Sequence, residues 1–179
     1  MPADIRLYFE GDKSLKPGFD AFLKELRRLA RGRCEFRLIS ARSGAEARQD
    51  FELAKELHPE AWSILLIDSD GPPPKKAVPG TFWMVEMMES WFHADKDALA
   101  EFYGQGFKRR ALKPNLNVEE IPKVDLERGL QAATKGCQKG AYHKTRHAPR
   151  LLELINPALV CAAARNCDRF FKAIQKHLA

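Results

Sequence analysis

Two short apolar runs constrain the fold of this chain more than anything else in it. Ile5–Phe9 and Trp62–Ile67 each run straight into carboxylates and a glycine, as RLYFEG and WSILLIDSDG. The second run is apolar without alternation, the pattern of a strand buried on both faces, and such strands belong to parallel sheets covered by helices. The intervening sequence fits that reading. Phe19, Phe22, Leu23, Leu26 and Leu29 recur at helical spacing over Phe19–Ala30. Cys34–Ser40 alternates as a second strand. Ser43, with Glu46 three residues on, forms a capping box that opens a helix reaching about His58. GPPPKK from Gly71 must be a loop, Thr81–Val85 reads as a fourth strand, and a helix is expected from about Glu86 to Ala94. The order β-α-β-α-β-loop-β-α predicts an α/β fold, a parallel-rich sheet with helices on both faces.

After Asp95 the texture changes. Helices are expected over Lys96–Tyr103 and Asp125–Thr134, with a basic loop, GQGFKRRALKPN, starting at Gly104. Pro-led helices are expected at Pro149 and at Pro157, the latter with Asn156 as its N-cap, followed by an amphipathic helix over Asp168–Leu178. The predicted organisation is an α/β core over residues 1–95 and a basic helical extension over 96–179 packed on it as one unit. Charge follows the same division. Residues 1–95 carry 14 basic and 16 acidic side chains, and residues 96–179 carry 16 and 8, so the net +6 lies in the second half. Carboxylates clustered in one half and a basic surface in the other suggest a metal site beside a polyanion.

No apolar run approaches the ~20 residues that span a bilayer, and MPADIRLYFEGDK lacks the regions of a secretory signal. Cys34, Cys137, Cys161 and Cys167 form no C-x-x-C pair and have no His at zinc-knuckle spacing. Reduced cysteines, no zinc and a cytoplasmic location are the expectation.

In a parallel sheet, ligands bind beyond the carboxyl ends of the strands. Glu10 and the pair Asp68 and Asp70 fall at two such ends. With the first and third strands adjacent, the three would converge, repel one another and raise each other's pKa. A hard cation removes that conflict, and an all-oxygen site suits Mg²⁺ or Mn²⁺. Glu86, Glu89 and His93 at i, i+3 and i+7 would share one helix face. Glu89 is the candidate for a further ligand or for orienting water. His93 reads as a half-buried structural histidine, and Asp95 as either a ligand or the N-cap of the next helix.

A strand ending in Glu-Gly and an Asp-x-Asp after the third strand resemble the TOPRIM domain of topoisomerases, bacterial primases, recombination-repair proteins and OLD-family nucleases. The wider wording, in YFEGDKSLKPGFDAFL, LLIDSDGP, MVEMMESWFHADKDALAEFYGQGF, VEEIPKVDLERGLQAATKG and YHKTRHAPRLLELINPALV, is similar to a family of small bacterial TOPRIM-like proteins of unknown function (DUF4276-type). The resemblance covers nearly the whole chain. It implies a TOPRIM-like Rossmannoid sheet, with Glu10 as acid/base or metal ligand and Asp68 and Asp70 on Mg²⁺. It also implies a setting beside ATPases, like that of prokaryotic defence nucleases. OLD-type nucleases carry another acid four positions after the first glutamate. Here that position is Ser14, so a second metal would draw on Glu89 or Asp12.

KGCQKGAYHKTRHAPR, from Lys135 to Arg150, contains no acid. Lys135, Lys139, Lys144, Arg146 and Arg150 offer phosphate contacts and Tyr142 a stacking face. Lys108, Arg109 and Arg110 form a second cluster and Lys75 and Lys76 a third, and His143 or His147 is a candidate proton donor. The resulting expectation is a metal-dependent phosphodiester hydrolase, a nuclease acting on nucleic acid with Glu10, Asp68, Asp70 and Glu89 as its acids, set beside an ATPase partner. The alternative is a non-catalytic nucleic-acid-binding or regulatory subunit of an ATPase-containing complex. Oligomeric state is not legible.

Overall fold

In the computed structural model, which describes residues 1–114 and 116–179, the two apolar runs lie side by side at the centre of a four-stranded, all-parallel sheet. Asn115, the last residue of the expected basic loop, lies outside the described residues. The strands are β1 (Ile5–Glu10), β2 (Phe36–Ala41), β3 (Trp62–Asp68) and β4 (Thr81–Met84), in spatial order β2-β1-β3-β4. Leu7 pairs with Leu38 on one side and Ile64 on the other, and Asp68 pairs with Met84. From β1 the chain steps one way to β2, then back across β1 to β3. Right-handed crossovers moving in opposite directions put their helices on opposite faces.

The first crossover carries α1 (Lys16–Phe22) and α2 (Lys24–Ala30). One helix was expected here; Leu23, at φ −96° and ψ 11°, breaks it in two. The break lets Phe19, Phe22, Leu23 and Leu26 all reach the core while Leu29 stays 42% exposed. The second crossover is α3 (Gly44–Leu57), where Ser43 Oγ accepts from Glu46 N and Glu46 Oε2 accepts from Arg42 N. Its residues Ala47, Phe51 and Ala54 pack on Tyr8, Leu65 and Ile67, the smaller of two cores.

The other face carries the main core, built from both halves of the sequence: Phe9, Phe19, Trp91, Leu126, Leu151 and Phe170 all belong to it. Its later helices are α4 (Glu89–Ala94), α5 (Lys96–Tyr103), α6 (Lys123–Thr134), α7 (Lys144–Leu154), α8 (Pro157–Ala163) and α9 (Arg165–Leu178). Two helix starts differ in ways that move site residues, while α6 and α9 begin two and three residues earlier than expected, at Lys123 and Arg165. Helix α4 begins at Glu89 rather than Glu86, because Glu86 sits in the left-handed region at φ +62°. The face shared by Glu86, Glu89 and His93 therefore does not form. Helix α7 begins at Lys144 and runs through Pro149, so Lys144, Arg146 and Arg150 stand on a helix rather than in a loop. Pro149 is tolerated where α7 presses on α1, and a Cβ on Gly18 would meet the Pro149 carbonyl oxygen at 2.8 Å. All four cysteines are free thiols. No helix among the described residues is long and apolar enough to cross a membrane.

The loop after α5 is fixed by backbone contact. Gly106 has φ +91°, and a Cβ there would collide with the Gly136 carbonyl oxygen. Alanine would add a left-handed penalty of about 1–2 kcal/mol to an overpacking penalty of about 1–3 kcal/mol. Gly106→Ala is therefore expected to destabilise the chain by about 3 kcal/mol in urea denaturation. A loss below about 1 kcal/mol, the range of an ordinary surface change, would contradict this packing.

Candidate active site

The sheet reverses its strand order between β1 and β3, and their carboxyl ends carry Glu10 and Asp68. Such a switch point is where open α/β sheets bind ligands. Glu10 Oε2 accepts a hydrogen bond from Asp68 N at 3.1 Å, which ties the two strand ends together. The same carboxylate passes the start of α3, where a Cβ on Gly44 would come within 3.0 Å of Oε2. Asp68 is 9% exposed; its Oδ1 accepts from Met88 N at 2.8 Å and its Oδ2 lies 4.0 Å from Lys144 Nζ. Burial pushes its pKa up to about 7. The Lys144 ammonium opposes that rise, and the Glu10 and Glu89 carboxylates add to it.

Glu89, the first residue of α4, is 1% exposed. Its Oε1 accepts from the Tyr142 hydroxyl at 2.8 Å and lies 3.7 Å from Lys144 Nζ, while its Oε2 has no hydrogen-bond partner among the described residues. Burial, then the neighbouring Glu89 carboxylate, drives the Tyr142 phenol far above its ordinary value, so it remains a donor. One turn along, His93 Nδ1 donates to the Glu89 carbonyl at 3.0 Å, and burial lowers the imidazole pKa to about 4. His93 is thus neutral and buried, and it supports the backbone of α4.

Glu10, Asp68 and Glu89 face one region, with the Lys144 ammonium between the last two. Asp70 does not join them. It sits at φ +49° on the rim, and its Oδ1 accepts from Lys123 Nζ at 2.7 Å. Glu86 faces Asp70 across the rim, taking Asp70 N on its carbonyl at 3.1 Å and donating its own N–H to Ser69 Oγ at 2.7 Å. Two non-glycine residues in the left-handed region store about 1–3 kcal/mol each, a cost that clusters at binding sites. Asp95 is an N-cap: its two oxygens accept from Ala98 N at 3.1 Å and Asn156 N at 2.8 Å.

The basic residues divide. Lys144 enters the acidic cluster; Lys135, Lys139 and Arg146 are exposed; and Arg150 is paired with Glu153. Lys139 Nζ lies 5.2 Å from the centre of the Phe102 ring. Tyr142 offers no stacking face, because its ring is buried against Phe92 and His147 and its hydroxyl is engaged by Glu89. His147 is buried and burial lowers its pKa. Its Nδ1 accepts from His143 N at 3.1 Å, which fixes the neutral tautomer.

No group of three or more His, Cys, Asp or Glu side chains is arranged to hold a metal ion among the described residues. The donor set nonetheless has the chemistry of a hard-cation site: carboxylate oxygens only, one of them buried and unpartnered on Glu89. Sequence reasoning missed the Tyr142–Glu89 bond, the entry of Lys144 among the acids, and Arg42. The available signal for Arg42 was its position one residue past the carboxyl end of β2, next to the Glu10–Ala41 pair that ends the β1–β2 ladder.

Fold and edge cluster together define a Rossmann-like α/β protein with an acidic site at its switch point. The chain belongs to the family described as "Domain of unknown function (DUF4276)", whose profile matches residues 78–175, more than half of its length. No curated protein and no solved structure matches the chain significantly.

Proposed function

We propose that this chain is a TOPRIM-like, Mg²⁺- or Mn²⁺-dependent phosphodiester hydrolase, a nuclease acting on nucleic acid. One observation carries the reading: at the switch point of a parallel sheet, the Glu10 and Glu89 carboxylates stand near enough to Asp68 to raise its pKa, and one Glu89 oxygen is buried with no partner among the described residues. Glu10, Asp68 and Glu89 would hold the metal, with Asp70 reaching it only after release from Lys123. When bound, the metal supplies an activated water and neutralises charge that develops on phosphate. The Tyr142 hydroxyl fixes the rotamer of Glu89. Lys144 carries a positive charge at the cluster and is placed to pair with a phosphate oxygen. The exposed cations Lys135, Lys139 and Arg146 would track the backbone without reading sequence.

Calorimetry with Mn²⁺ tests the site. Saturable binding is expected for the wild type, with at least about a 100-fold loss in Asp68→Ala. Mg²⁺-dependent cleavage of nucleic acid should vanish in the same variant while its circular dichroism is unchanged. Undiminished cleavage by Asp68→Ala sinks the reading. A second reading has its own support, because the Lys144 ammonium already neutralises part of the cluster. In that case the chain is a nucleic-acid-binding subunit of an ATPase-containing complex and performs no chemistry. It predicts salt-sensitive binding with a steep slope and no turnover, with or without the ATPase.

A further inference from the structure

Beside the acidic cluster lies a small cavity of about 180 Å³, bounded by the β1–α1 turn, the residue after β2 and the start of α7. We infer that this cavity binds one phosphate group, held by Arg42, Lys144 and Thr145. As a subsite for the substrate's phosphate, the assignment rests on the hydrolase reading above; as an anion site, it stands on the cavity itself. At ~30 Å³ per water the space equals about six waters. That accommodates a phosphoryl group.

The charges in the wall decide what can enter. Arg42, Lys144, Glu10 and Asp12 all line the cavity, two cations against two carboxylates. Each carboxylate has one oxygen held by a backbone N–H. Glu10 Oε2 accepts from Asp68 N at 3.1 Å, and Asp12 Oδ1 accepts from Ser14 N at 2.7 Å. The cations keep their donors. The Arg42 guanidinium has no hydrogen-bond or ion-pair partner among the described residues, its backbone N–H being the group that meets Glu46. Among the described residues Lys144 Nζ approaches carboxylates at 3.7 and 4.0 Å, ion-pair distances beyond hydrogen-bond length. Thr145 also lines the cavity, and its hydroxyl has no hydrogen-bond partner among the described residues. A planar guanidinium fork, an ammonium and a hydroxyl around one cavity match the oxygens of a phosphate. Glu10 and Lys144 border both this cavity and the carboxylates, so a phosphate bound here lies next to the acidic cluster. Because the wall is formally neutral, binding depends on Arg42. Without that charge the wall is net negative and rejects an anion.

The test is a thermal titration of the full chain with inorganic phosphate at constant ionic strength, with chloride as the balancing salt. Phosphate is expected to raise the wild-type midpoint saturably. Arg42→Met should weaken the apparent affinity at least about tenfold, and Thr145→Val should weaken it to a lesser degree. Arg48→Met, which removes an exposed arginine of α3 outside the cavity, should leave it unchanged. No midpoint shift in the wild type, or the same affinity in Arg42→Met as in Arg48→Met, overturns the inference. The two readings fail separately. A chain that binds phosphate through Arg42 but neither takes up Mn²⁺ nor cleaves keeps the anion site and loses the hydrolase. A chain that cleaves and whose phosphate affinity ignores Arg42 keeps the hydrolase and loses this site.

Discussion

Asp68→Asn is expected to be more stable than the wild type at pH 8, by about 2–4 kcal/mol, and close to it at pH 4. The carboxyl stands at about 7 in the folded chain, against 3.8 for an ordinary aspartate, and burial is the main cause. A folded value above the unfolded one means that the native state binds the proton more tightly. The protonated side chain therefore favours folding, and stability falls as pH rises from about 4 to about 7, then levels off. A difference of that size corresponds to about 4 kcal/mol at most. Asparagine cannot ionise, and its Oδ1 can still accept from Met88 N, so the variant escapes the loss. His93 works in the opposite direction. Its folded value of about 4 lies below the ordinary 6.5, so its contribution is present above pH 6.5 and lost as pH falls toward 4. Both chains carry His93, and their difference isolates Asp68. Urea denaturation from pH 4 to pH 8 measures it. A wild type and Asp68→Asn of equal stability at pH 8 would show that the acidic cluster is not under strain. Under the hydrolase reading, adding Mn²⁺ at pH 8 should stabilise the wild type alone, since only its carboxylate gains a partner.

The features legible in the sequence were those set by local pattern. The run Trp62–Ile67, apolar but for Ser63, read as a strand buried on both faces, and the order of elements put Glu10 and Asp68 at strand ends that the sheet makes neighbours. Capping chemistry fixed the starts of α3, α5 and α8, through Ser43, Asp95 and Asn156. What escaped was set by tertiary contact. Nothing near Glu86 announces a left-handed residue; its conformation is imposed by Ser69 and Asp70 from the β3 loop. Asp70, next to Gly71, gives no sign that Lys123 will hold it 53 positions away. Tyr142 within a basic segment reads as a stacking residue, and only the fold shows its hydroxyl aimed at a buried glutamate. Pro149 looked like a helix start because its local rule favours the first turn. The packing of α7 on Gly18 of α1 overrides that rule.

The placement of Glu89 rests on a helix of six residues, too short to hold itself, since isolated helices below ~12–15 residues are marginal in water. Tertiary packing must supply its stability, and Trp91 is its largest fully buried side chain. The indole is fully buried, stacks on Phe22 at 5.0 Å between ring centres and meets Phe19 edge-on at 6.4 Å. Trp91→Ala is expected to destabilise the chain by about 3–5 kcal/mol, the range for removing a large buried aromatic. Trp91→Phe should cost far less than its lost volume suggests. The indole N–H has no hydrogen-bond partner among the described residues, and an orphaned buried donor carries a penalty of about 1–3 kcal/mol that phenylalanine removes. The two variants also separate stability from site geometry. Trp91→Phe keeps an aromatic ring against Phe22, so α4 and its glutamate stay in place and Mn²⁺ affinity should match the wild type. Trp91→Ala frees the helix, and Mn²⁺ affinity should fall even at low temperature where the chain remains folded. Equal metal affinity in both variants would mean that Glu89 is not a ligand, and would leave the cation to Glu10 and Asp68.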